Sequence, residues 1–168
     1  MQKLFSLFML AILTTLFSCN QTGNNPPPTE NRTKNSGPIE TSTITAGNQC
    51  AIKSASQKLI KNKEEWETVW NEAFNGRIPL PEKPEIDFGK YWVIAAFAGE
   101  VSTGGHTLKI GPVEPQNDAT NITVKHLKPG SNCITSAAIE YPYQFESVLQ
   151  FKPENAVFNS ATEEVPCN

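Results

Sequence analysis

From residue 62 onward the spacing of apolar positions changes several times, and each change marks an element. Trp66, Val69, Trp70 and Phe74 recur at i, i+3, i+4 and i+8, a single stripe on a 3.6-residue helix. Asn62 stands where an N-cap belongs, Glu64 and Glu65 fall in the first turn, where the helix dipole favours negative charge, and Gly76 follows as a stop. Ile78 to Ile86 contains Pro79, Pro81 and Pro84, which excludes a helix interior and a central strand. It is expected to be an extended loop ending at Asp87, whose side chain suits a turn cap. Tyr91 to Ala98 is almost wholly apolar between Gly89 and Gly99, the mark of a strand covered on both faces.

Beyond Gly99 the period becomes two. Ser102-Thr103-Gly104-Gly105 reads as a turn, His106 to Ile110 as a strand with Leu108 and Ile110 on one face, and Asn121 to Leu127 as a strand with Ile122, Val124 and His126 on one side. Pro129-Gly130-Ser131-Asn132 is a second turn. Cys133 to Ile139 and Phe145 to Phe151 are expected as strands joined across Tyr141-Pro142-Tyr143, with a short last one at Ala156-Val157-Phe158. Cys50 to Ile60 suits a short, irregular first strand. An early helix followed by strands with short turns predicts an α+β domain: one N-terminal helix packed on a largely antiparallel β-sheet, its strand order open.

The first residues follow another rule. Lys3 precedes an apolar run from Leu4 to Phe17, which as a helix would span about 21 Å, short of the roughly 30 Å hydrocarbon core. The pattern is that of a signal peptide over residues 1–18 rather than a permanent span. The run ends in Leu16-Phe17-Ser18-Cys19, which resembles the lipobox of bacterial lipoproteins, although Phe17 is bulkier than the usual occupant of its place. That resemblance implies lipidation of Cys19, the alternative being an ordinary secreted protein cut nearby. Asn20 to Asn48 lacks apolar periodicity and is dominated by Asn, Thr, Pro, Gly and Ser, so residues 19–48 are expected as lipidated Cys19 plus a disordered tether, with a reach on the order of 30 Å. Residues 49–168 remain for one folded domain. The expected location is the bacterial cell envelope, anchored by lipid and facing the periplasm or the exterior.

Composition excludes more than it selects. The chain has 14 basic and 17 acidic residues and no run of Lys or Arg, so nucleic acid is excluded as a partner. Cys50, Cys133 and Cys167 allow one disulfide in any of three pairings and leave one thiol over. No Cys-x-x-Cys or paired His spacing supports zinc, and neither metal nor cofactor is expected. His106 and His126 are the only imidazoles, and no Gly-x-Ser-x-Gly, His-Glu-x-x-His or Cys/His protease signature accompanies them, so no catalytic residue is assigned. Trp66, Trp70 and Trp92 suit core packing better than a ligand platform. Tyr141 and Tyr143 around Pro142, with His106 after the Gly-Gly turn, are the candidates for an interface.

Taken in order, Glu65-Trp66 and Trp70, then Pro84-Glu85-Ile86-Asp87-Phe88 before the apolar strand, Gly99, Thr103-Gly104-Gly105-His106, Pro129-Gly130 and Pro142-Tyr143 form a pattern that resembles the C-terminal domain of the PrcB-like lipoproteins, named for a subunit of a spirochaete surface protease complex. The resemblance covers roughly Leu59 to Phe158. It implies a non-catalytic protein that assembles or stabilises a complex, with a cell-surface protease as partner. The competing expectations are an envelope module for a small molecule or glycan, which needs an exposed aromatic cleft, and a hydrolase, which needs a nucleophile within reach of His106 or His126.

Overall fold

The computed structural model describes residues 37–167, so Cys19, the expected leader and most of the expected tether lie outside the described residues. The elements run β1 (Thr41–Gly47), β2 (Ser56–Ile60), α1 (Lys63–Ala73), β3 (Tyr91–Phe97), β4 (Thr107–Pro115), β5 (Thr120–Pro129), β6 (Tyr143–Leu149) and β7 (Ala156–Val165). The architecture is α+β and mostly antiparallel, but the expected single sheet is two. One has the order β1-β6-β3-β2 and the other β4-β5-β7. The helix is not the first element, since β1 and β2 precede it.

The apolar run of β3 explains the layering. Val93, Ala95 and Phe97 pack with Trp66, Val69, Trp70 and Ala73 of α1 and with Phe145 of β6. Trp92, Ile94 and Ala96 point the other way, against Leu108, Ile110, Ile122 and Val124 of the second sheet. Alternate residues of one strand therefore fill two cores, which is why nearly every position in it is apolar. The helix begins as its sequence requires: Asn62 Oδ1 accepts from Glu65 N at 2.8 Å. Its indoles are satisfied by the proline loop, Trp66 Nε1 donating to Pro84 O at 3.0 Å and Trp70 Nε1 to Pro81 O at 3.2 Å. Asp87 caps its turn, accepting from Gly89 N at 3.0 Å.

Three expectations are corrected. β1 occupies 41–47, inside the expected tether, and pairs antiparallel with β6 from Thr41↔Val148 to Gly47↔Tyr143. An edge strand needs few apolar residues; Thr41, Thr43, Ile44 and Thr45 supply the β-branched character, and Ile44 alone reaches the helix-side core. Cys133 to Ile139 forms no strand. Its Thr, Ser and Ala residues have little to bury, and Ile134 and Ile139, at odd separation, would fall on opposite faces. Finally, the last strand, expected over Ala156-Val157-Phe158, runs to Val165; it joins β5 in parallel, from Thr120↔Ala156 to Pro129↔Val165, within a fold that is largely antiparallel as expected. A disulfide between Cys133 and Cys167 fastens the chain just beyond it to the loop after β5. Cys50 is left as a half-buried thiol, its pKa raised by burial despite a sulfur contact to Ile52 O at 3.7 Å.

Candidate functional site

Where β4 starts and β6 is about to start, the two sheets leave a cleft of about 230 Å³. Ala46, Asn48, His106, Leu108, Glu140 and Tyr143 are among its walls. Two motif glycines shape it. Gly105 sits at φ +89°, a conformation that side chains disfavour, and turns the chain into β4. Gly104 donates its amide to Ser136 O at 2.9 Å. A Cβ on Gly104 would run into Ser136 Oγ and come within 3.2 Å of Glu140 Oε1. Gly104 is therefore required chiefly by Ser136, with Glu140 close behind, and Gly105 by the turn.

Glu140 is held by its backbone, which exchanges two hydrogen bonds with Val101, N to O at 3.0 Å and O from N at 2.9 Å. The residue is only 7% exposed. Its Oε1 accepts from Asn48 Nδ2 at 2.8 Å, whereas Oε2 is buried with no protein partner. Deeper in the same sheet, Gln144 Nε2 donates to Glu146 Oε1, which also accepts from Thr43 Oγ1 at 3.4 Å; Gln144 Oε1 and Glu146 Oε2 are again unpartnered. Gln144 and Glu146 share the β6 face that carries Val148 into the inter-sheet core, so this end of the sandwich is polar inside. Buried carboxyl oxygens without a donor cost free energy and call for one.

His106 and His126 meet at the same end. Both continue inward-facing rows, Leu108 and Ile110 in β4 and Ile122 and Val124 in β5, and Leu108 is registered opposite His126. His106 Nδ1 and His126 Nε2 are 2.9 Å apart, and Thr103 Oγ1 lies 3.1 Å from His106 Nε2. One imidazole must donate and the other accept, so the pair holds its bond only while at least one ring is neutral. Burial, then the charges of His106 and Lys128, hold the His126 pKa below its ordinary value. Hydroxyl, imidazole and orienting group stand in the order used by nucleophilic catalysis. Yet the orienting group is a second imidazole and not a carboxylate, and the nearby Gly104 amide is committed to Ser136 O and cannot serve as an oxyanion donor. Among the described residues no group of three or more His, Cys, Asp or Glu is placed to hold a metal ion.

The three interface candidates separate. Tyr143 is 7% exposed, its ring against Phe74 and Phe145, because it opens β6 on the helix-facing side. It is a core residue whose edge reaches the cleft, and this corrects its reading as an exposed anchor. Tyr141 is half-buried and donates its hydroxyl to Glu100 Oε2 at 2.9 Å, an interaction that raises its pKa. His106 is half-buried in the pair just described. Trp66, Trp70 and Trp92 are all buried, as core packing requires. Sequence reasoning missed Asn48, Glu140 and the union of the two histidines. The histidines carried a signal, since both extend an apolar row with the parity of the core.

Residues 92–148 match the family model described as PrcB C-terminal, so the resemblance read from the sequence holds over that span. The span begins in β3 and ends in β6, and includes Gly104, Gly105, His106, Glu140, Tyr141 and Tyr143; Asn48, α1 and β7 fall outside it. No curated protein and no solved structure matches the chain.

Proposed function

We propose that this PrcB C-terminal-like domain is a non-catalytic module that holds a protein partner in a complex, a cell-surface protease complex being the setting the family match suggests. The observation that carries the reading is the irregular segment between Cys133 and Glu140. It exposes Ile134 completely and Ile139 by more than half, yet it is fastened at one end by the disulfide and at the other by the Val101↔Glu140 bridge. Apolar side chains on a segment already held in place can be covered by a partner at little ordering cost. The module acts in the cell envelope, carried by a lipid on Cys19.

Two measurements test this reading. Cross-linking in intact cells, followed by mass spectrometry, is expected to recover one recurrent protein joined through residues 133–141. Ile134→Ser with Ile139→Ser should reduce that yield at least tenfold while leaving the unfolding midpoint unchanged. Equal recovery from wild type and variant would remove this segment as the interface. Growth with a labelled fatty acid is expected to mark the wild-type chain and leave Cys19→Ser unmarked; labelling of both would refute the anchor.

A further inference from the structure

We infer that the free edge of β7 pairs with the same edge of a second copy of this chain, antiparallel about a two-fold axis at Ala161, joining two three-stranded sheets into one. The inference is separate from the partner proposed for residues 133–141, and its failure would leave that reading standing.

A strand at the edge of a sheet offers unpaired N–H and C=O groups, and folds blunt such edges with short strands, lysine, proline, irregular register or a covering segment. Among the described residues, three of the four edges are blunted. β2 has five residues and an exposed Lys58. β1 shifts register between Thr43 and Thr45. β4 contains Pro112 and Pro115, shifts register between Ile110 and Val113, and is bridged by Ile39. β7 has none of these devices. It runs ten residues in unbroken register with β5 and contains no proline, glycine or basic residue, and every residue from Asn159 to Val165 is exposed. Its charges do not guard it either. Glu163 is paired with Lys125 at 3.0 Å and Glu164 with Lys128 at 2.9 Å, both on the β5 side.

The backbone and the side chains together select the occupant. Asn155 O accepts from Thr120 N and Val165 O accepts from Gly130 N, so the odd-numbered residues between them direct their polar groups to β5. Phe158, Ser160, Thr162 and Glu164 therefore present theirs at the free edge, and an antiparallel copy must set even residues against even ones. With Ala161 opposite itself, Ser160 meets Thr162 and Phe158 meets Glu164, which satisfies all four residues of both copies. On the outer face Val157 meets Val165 and Asn159 meets Glu163. The two valines, 41% and 40% exposed, cover each other in this register, an amide donor faces each Glu163 carboxylate, and no glutamate opposes a glutamate. A shift of two residues either way sets Val157 against Glu163 or Asn159 against Val165, and so parts the valines. Pro166, without an N–H, ends the pairing where the Val157–Val165 contact ends. The chain's own leading segment is placed elsewhere: Ile39 meets the sheet at Val113 of β4, and β5 lies between β4 and β7.

One strand from each copy makes a small contact beside the roughly 1,200–2,000 Å² of stable interfaces, so the pair is expected to be reversible and is best trapped covalently. The test uses the full chain in mild detergent, with single cysteines on the outer face of β7, oxidised by diamide and read by non-reducing electrophoresis and mass spectrometry. Residues opposed in a non-hydrogen-bonded antiparallel pair have Cα atoms about 4.5 Å apart, within disulfide reach. Ala161→Cys is therefore expected to give a dimer linked through position 161 of both copies, at least tenfold above wild type and above Asn159→Cys. In the latter variant the two thiols are displaced by four residues, about 13 Å. Mixing Asn159→Cys chains with Glu163→Cys chains should restore the dimer. Thr162→Pro removes one edge N–H, spares the β5 ladder, and should lower the Ala161→Cys yield at least tenfold; the cysteine scan does not depend on how that variant folds. Equal yields from Ala161→Cys and Asn159→Cys overturn the inference. So does a product that joins the introduced thiol within one chain, which would give the edge to the leading segment, or in intact cells to a different protein, which would give it to a partner's strand.

Discussion

Gly105 shows how much one missing side chain can determine. At φ +89° an L-residue pays roughly 1–2 kcal/mol, so Gly105→Ala is expected to lower unfolding stability by about that amount in urea denaturation. His126 sets a pH dependence of definite sign. Its pKa is depressed in the folded state by burial and by His106 and Lys128, whereas the unfolded chain takes up the proton near 6.5. Between those values the unfolded state binds more protons, so stability is complete above about 6.5 and declines as the solution is acidified. The denaturation midpoint of wild type is expected to fall between pH 7.5 and pH 5.5, and His126→Gln should flatten that fall; an unchanged slope would show that another group carries it. At this scale the sequence displayed the inward parity of both histidines and the turn at Gly104-Gly105. It hid Glu140, because a lone glutamate after Ile139 has no periodic context, and its burial depends on Asn48 ninety-two residues away.

Elements were legible where one periodicity ran long enough to exclude the alternatives. The α1 stripe, its Asn62 cap and the doubly buried β3 stand where the pattern placed them, since each is dictated by local spacing and by a core on a known side. β1 escaped because an edge strand buries one face only in part, and a run of Thr around a single Ile resembles linker composition. Cys133 to Ile139 misled for the opposite reason, its apolar ends imitating a strand whose middle has nothing to bury. β7 illustrates dependence on covalent support. It is mostly exposed, it pairs only with β5, and the Cys133–Cys167 bridge, spanning a separation of 34 residues, fixes the chain beside it. Chain-entropy arguments give about 4 kcal/mol for a loop of that size. Reduction, or Cys133→Ser, is expected to lower stability by up to this amount, with β7 amides losing hydrogen-exchange protection before those of β3. Uniform loss across both strands would show that β7 is not a separable unit.

For the whole molecule, fold class and family resemblance could be read from the sequence, whereas the division into two sheets could not. Alternation reports that a face is covered without saying by what, and the covering of β3 by a helix on one side and by β4 and β5 on the other is a fact of tertiary pairing. The most distant pairing has a consequence in time. β1 waits for β6, with Thr41 opposite Val148, and nothing nearer in the chain replaces that neighbour. At about 5–20 residues per second, a ribosome needs roughly 5 to 20 seconds to make the intervening stretch. Throughout that interval the first strand has no partner, and the sheet cannot close. Until β6 is made, β1 is thus a strand without a sheet, although β2 with β3 and β4 with β5 can already pair.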